Sequence, residues 1–114
     1  MVTIYHNPRC TKSKATLKLL QSKDIEPEVI EYLENPPSVD ELTDILLMLD
    51  VSARDIMRKN EAIYKELELG DESLDDTALL NAIVHHPNLM ERPIVVNGEK
   101  AAIGRPPEKV LDIL

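Results

Sequence analysis

Residues 2–6, VTIYH, place apolar or aromatic side chains among polar ones and are rich in β-branched types, the pattern of a strand. Asn7-Pro8 breaks the pattern. From Thr11 to Lys23 the apolar positions Ala15, Leu17, Leu19 and Leu20 fall among good helix formers and predict a helix. Residues 28–32, EVIEY, read as a second strand, introduced by Pro27. Strand, helix and strand this close together predict a right-handed βαβ unit with parallel strands.

The pattern changes over residues 36–90. Ser38-Val39-Asp40-Glu41 reads as a capping box, in which Ser38 accepts from the backbone three residues on and Glu41 reaches back. Leu42, Ile45, Leu46 and Leu49 then form one helical face. Ser52 and Asn60 read as further caps, ahead of Ile56 and Ile63. Ser73 opens another helix with Leu79, Leu80, Ile83 and Val84 on one stripe, and Pro87 ends it. Three or four short helices and no strand are expected here.

The final stretch returns to β pattern. Ile94-Val95-Val96 and Lys100 to Ile103 flank Asn97-Gly98, a two-residue hairpin signal. Gly104 and Pro106-Pro107 then set up a last helix, with Val110, Leu111 and Leu114 expected to face inward. The order β-α-β, helices, β-β-α is an α/β arrangement of thioredoxin-like type. It predicts one domain over residues 1–114, with a helical insertion at about 38–90 between the two halves.

Composition narrows the function. With 114 residues and 43% hydrophobic content the chain can bury a core, and with no Phe or Trp that core is aliphatic. No apolar run reaches membrane-spanning length, and MVTIYHNPRC lacks the segments of a signal peptide. One cysteine excludes an internal disulfide, and a reducing, cytoplasmic setting is expected. The net charge of −8 argues against nucleic acid as a partner. The charge is uneven. Residues 1–23 hold Arg9, Lys12, Lys14, Lys18 and Lys23 and no acid, whereas residues 24–90 hold 17 acids against four cations.

The lone thiol, Cys10, therefore sits in a basic setting at the end of a strand and the start of a helix. A helix N-terminus favours a thiolate through its unpaired N–H groups and positive dipole end. An ordinary cysteine is only about 3% ionised at pH 7, and the dipole adds only about 0.3–1 kcal/mol. Further cations are needed, and Arg9, Lys12 and Lys14 are the local candidates. The Ser13 hydroxyl is placed to donate to the sulfur, and His6 stands next to the loop. His6 and Cys10 have a ligand-like spacing, but only His85 and His86 remain as further histidines, and they read as a helix end before Pro87, so no metal site is expected. Ser13 occupies the place of the second cysteine in a CxxC. If Cys10 reacts, its disulfide partner comes from another molecule.

The segments YHNPRCTKS, MRKNEAIYKEL and ERPIVVNGEKAAIGRPPEKVL resemble the glutaredoxin-coupled arsenate reductase family over nearly the whole chain. The resemblance implies a thioredoxin-like fold with a helical insertion. It places Cys10 on the family's nucleophile and Arg58, Arg92 and Arg105 on its substrate-binding arginines, with His6, Ser13, Lys14 and a cis Pro93 in support. Guanidinium forks match the oxygens of arsenate or another small oxyanion. The implied chemistry reduces arsenate to arsenite, with glutathione and glutaredoxin as external reductants and no bound cofactor. At Lys14 the well-studied members carry arginine, so the charge is kept and the planar fork is lost. Two other functions remain open. One is a thioredoxin-fold thiol oxidoreductase with a different substrate. The other is a regulator of the related Spx type, which binds RNA polymerase and usually carries the CxxC that Ser13 removes here.

Overall fold

The structure is a computed structural model that describes residues 1–114. The chain divides into two compact units, residues 1–35 with 92–114, and residues 36–91.

The first unit is a four-stranded mixed sheet with helices. Strand β1 (Val2–His6) leads through a short turn into helix α1 (Thr11–Ser22), and β2 (Glu28–Glu31) follows. Strands β3 (Ile94–Asn97) and β4 (Lys100–Ile103) return near the end, before a 3₁₀ helix at Pro107–Ile113. The spatial order is β2-β1-β3-β4, with β2 parallel to β1 and the other pairs antiparallel. The expected parallel βαβ unit is present. One register row joins Val29, Ile4, Val95 and Ala102 across the sheet. Ile4 and Val95 are fully buried with Leu20 and Val110, and Leu17, Leu19 and Ile113 pack against them. Two X-Pro bonds, Arg92–Pro93 and Arg105–Pro106, are cis.

The second unit is helical. It holds α2 (Val39–Leu49), α3 (Ala62–Glu66) and α4 (Asp76–His85), with 3₁₀ turns at Ala53–Ile56 and Pro87–Leu89. The Ser38/Glu41 capping box is formed, with both bonds at 3.1 Å. Ser52 pairs with Asp55, whose carboxylate accepts from the Ser52 N–H and hydroxyl at 3.0 Å each. No strand occurs here, but Met57 and Met90 form an isolated antiparallel bridge. The Arg58 N–H donates to Leu89 O and the Glu91 N–H to Ile56 O, both at 2.7 Å.

Several sequence expectations are corrected. Asn60 does not cap α3. The Glu61 N–H closes a turn onto Arg58 O at 3.2 Å, which places Asn60 inside the turn and makes Glu61 the N-cap. Ser73 does not open α4, because its N–H and hydroxyl are both held by Asp71 Oδ1 at 2.9 and 2.8 Å. Asp75 caps the helix instead, accepting from the Ala78 N–H at 2.9 Å. The hairpin turn is Gly98-Glu99 rather than Asn97-Gly98. Asn97 pairs with Lys100 and donates its side-chain amide to Ile113 O at 2.6 Å, which keeps it in the strand, while Gly98 takes φ +62°.

The last helix is 3₁₀, and its three-residue period puts Val110 and Ile113 inward. Leu111 and Leu114 stay 38% and 44% exposed. On α1 the buried positions are Ser13, Thr16 and Leu20, with Ala15 exposed. The apolar pattern missed the two hydroxyl residues, which tolerate burial because their oxygens are hydrogen-bonded.

Candidate active site

The turn between β1 and α1 is built by Asn7. Its carbonyl accepts from the Cys10 N–H at 3.0 Å, and its side-chain oxygen accepts from the Arg9 N–H at 2.9 Å. Cys10 becomes the N-cap of α1 in an extended conformation, and its carbonyl accepts the Lys14 N–H at 2.9 Å. The side chain is 8% exposed. The N–H groups of Ser13 and Lys12 act on the sulfur, although no full capping hydrogen bond is closed to it.

These surroundings set the acidity of the thiol. Burial pushes Cys10 up. The Ser13 N–H, the positive charge of Arg92, the Lys12 N–H and a hydrogen bond from the Arg92 side chain together outweigh burial, and the thiol falls below its ordinary value. The cation that matters is thus Arg92, more than 80 residues away in sequence. Arg9, Lys12 and Lys14 were the local candidates, but their side chains are exposed, and Lys12 acts through its backbone.

Ser13 is also reassigned. Its hydroxyl does not serve the sulfur but lies 2.6 Å from His6 Nδ1 and accepts from the Asn7 N–H at 3.0 Å. The fully buried hydroxyl thus ties the end of β1 to the first turn of α1, and the Ser13 N–H is held toward Cys10. His6 is buried, and burial lowers its pKa against the opposing charge of Glu31.

The antiparallel register of β1 and β3 pairs Tyr5 with Ile94, which carries Pro93 and Arg92 past His6 toward the Cys10 turn. The Gly104 N–H donates to Pro93 O at 2.9 Å, and Arg105 Nη1 donates to Arg92 O at 3.3 Å. The structure therefore brings Cys10, Arg92, Pro93, Ser13 and His6 together, with Arg105 joined to Arg92. Arg58 belongs to the helical unit, where Nη1 pairs with Glu61 Oε2 at 3.1 Å. No group of three or more His, Cys, Asp or Glu side chains is arranged to hold a metal ion. Sequence reasoning overlooked Asn7, Thr16 and Gly104 as parts of this architecture. The Asn-Pro turn signal pointed at Asn7, Gly104 read only as the lead-in to the last helix, and Thr16 carried no local signal.

A comparison with family models matches the ArsC family over residues 5–113. The chain belongs to the ArsC family. It is 56% identical over 114 residues to YfgD of Escherichia coli K12, a protein described as uncharacterized, covering 99% of this chain and 96% of that one. It is 50% identical over 114 residues to an arsenate reductase of Neisseria meningitidis serogroup B, covering 99% and 97%. Among solved structures, an arsenate reductase from Vibrio cholerae superposes with a TM-score of 0.96 at 54% identity, covering 99% of this chain and 97% of that one. The thioredoxin-like ArsC architecture with its helical segment is thus the fold of this chain.

Proposed function

We propose that the chain is an arsenate reductase, an oxidoreductase that works through the single thiol of Cys10. The observation that carries this reading is the Arg92 guanidinium set against a thiol that opens a helix and is lowered below its ordinary pKa. Arsenate is an anion at neutral pH, and so is the attacking thiolate, so fixed positive charge is needed at the point of attack. Arg92 supplies it, and Arg105, joined to the Arg92 carbonyl, offers a second fork for the oxyanion. Arg58 is the third arginine by resemblance, and its assignment rests on that likeness alone. Ser13 and His6 hold the turn, Pro93 shapes the wall beside the thiol, and Lys14 adds diffuse positive charge.

In the reaction, the Cys10 sulfur forms a bond to arsenic as one arsenate oxygen leaves as water. A glutathione thiolate then attacks that sulfur. An S–S bond forms, the S–As bond breaks, and its electron pair stays on arsenic, which falls from As(V) to As(III) and leaves as arsenite. The two thiols together supply the two electrons. Glutaredoxin finally takes the glutathionyl group from Cys10. An outside donor is required because the chain has no second cysteine. The reducing cytoplasm is the compartment that fits this cycle.

Purified protein with glutathione and glutaredoxin is expected to convert arsenate to arsenite. Cys10→Ser is expected to remove turnover, omitting glutathione to stop the reaction before arsenite is released, and omitting glutaredoxin to stall it after one round. Turnover that survives in Cys10→Ser removes the mechanism. A panel of oxyanions and mixed disulfides in the same assay reads the substrate range, and arsenate turnover no better than that of the other substrates removes the arsenate assignment.

A further inference from the structure

Gly104 follows β4 at the point where α1, the strand end and the Arg92–Pro93 turn meet. An ideal Cβ on Gly104 would lie 2.5 Å from Thr16 Oγ1, 2.8 Å from Pro93 Cγ and 3.2 Å from Thr16 Cγ2. Its φ is not left-handed, so the requirement for glycine is one of space alone. Neither neighbour can retreat. Thr16 is fully buried, β-branched, and donates its hydroxyl to Lys12 O at 2.8 Å. Pro93 is buried with a fixed ring, and its carbonyl is held by the Gly104 N–H at 2.9 Å. Room for a methyl group must come from backbone shifts that separate Gly104 from both α1 and the Arg92–Pro93 turn. Helix α1 carries Cys10 at its N-cap, and the turn carries Arg92. Arg105 is the residue directly after Gly104 and donates to Arg92 O.

We infer that Gly104 is a positioning residue for the reaction, because its missing side chain lets α1 lie directly on the Arg92–Pro93 turn and so sets the separation of Cys10 from Arg92 and Arg105. The inference rests on the reading of Cys10 and Arg92 as the reacting pair. It predicts that crowding at Gly104 is felt at the thiol, through weakened contact with a guanidinium that favours the thiolate.

The test compares wild type, Gly104→Ala, Thr16→Ala and the double variant Thr16→Ala/Gly104→Ala. The readouts are the pH midpoint of iodoacetamide alkylation of Cys10, arsenate kcat and KM, and the melting temperature. Gly104→Ala is expected to raise the alkylation midpoint by about one pH unit and to lower kcat/KM by roughly tenfold or more. The double variant is expected to recover much of the midpoint, since two of the three crowding contacts belong to Thr16. A folded Gly104→Ala protein with a wild-type midpoint and kcat/KM overturns the inference, whatever its melting temperature. Should Gly104→Ala fail to fold, Thr16→Val crowds the same contact from the helix side. It is expected to move the midpoint upward by a smaller step, and an unmoved midpoint overturns the inference. A wild-type midpoint at the ordinary cysteine value removes instead the reading of Cys10 on which the inference rests.

Discussion

The two units solve burial in opposite ways. The helical unit hides an apolar set that includes Leu42, Ile45, Ile56, Leu79, Ile83, Leu89 and Met90, and no Ser, Thr, His or charged residue is buried whole with them, although Arg54 Nε is buried there. The buried polar residues of the chain are His6, Ser13 and Thr16, and all three belong to the sheet unit, close in sequence to Cys10. Buried polar groups are costly unless bonded. Here they are bonded, and each bond fixes something near the thiol. Ser13 ties β1 to α1, and Thr16 fastens its hydroxyl to Lys12 O. The helical unit buries side chains for stability, whereas the sheet unit also spends burial on fixing the turn and the N–H groups around the thiol. Reactivity is therefore expected to respond to changes in the first kind of core far less than to changes in the second.

The sharpest break of this comparison is Ile83→Ala. Ile83 is fully buried, and the truncation is expected to cost about 2–5 kcal/mol in denaturant unfolding. The alkylation midpoint of the protein that remains folded is expected to stay at the wild-type value. A shift of that midpoint would erase the distinction between the units.

Ser13→Ala comes next, with an expected loss of about 1–3 kcal/mol, because the Asn7 N–H loses its acceptor and His6 its partner. Unlike Ile83→Ala, it is expected to slow alkylation of Cys10 at neutral pH as well. Stability loss without slower alkylation would reduce Ser13 to a packing role.

Ser38→Ala is smaller. It removes the capping box of α2 and is expected to cost about 0.5–2 kcal/mol, with alkylation and turnover per folded molecule unchanged.

The mildest probe is pH. The folded thiol releases its proton at lower pH than the unfolded one. Its contribution to stability is therefore present above the ordinary thiol pKa and is lost as pH falls through the folded value. His6, lowered by burial, acts in the same direction, because the unfolded imidazole takes up a proton before the folded one does. Acidification through these ranges is expected to weaken the fold, and Cys10→Ser to remove the part of that dependence that lies in the thiol range. An unchanged pH dependence in Cys10→Ser would show that the thiol is not lowered in the folded state.

Much of the fold was legible because its signals are local. The Ser38/Glu41 box, the helix ending ahead of Pro87 and the alternation of VTIYH each depend on neighbours within a few residues. Misreadings arose where two local signals competed. Ser73 was a plausible cap until Asp71 claimed its N–H and hydroxyl, and Asn97 a plausible turn residue until its amide found Ile113 O. In the last helix Val110 is buried as expected, but the period is not the expected one, since a 3.6-residue repeat carries Leu111 and Leu114 inward with it where the 3.0-residue repeat carries Ile113.

By itself the sequence determined that this protein has one thiol, that the thiol opens a helix after a strand, and that any disulfide it forms reaches outside the chain. These follow from composition and short-range pattern. Tertiary structure alone decided which cation lowers the thiol and what holds that cation in place. The register of β1 on β3 brings Arg92 to Cys10, and the bare Cα of Gly104 lets α1 close on the Arg92–Pro93 turn. Both depend on strand pairing and on distances between atoms far apart in the chain, quantities to which no local pattern is sensitive.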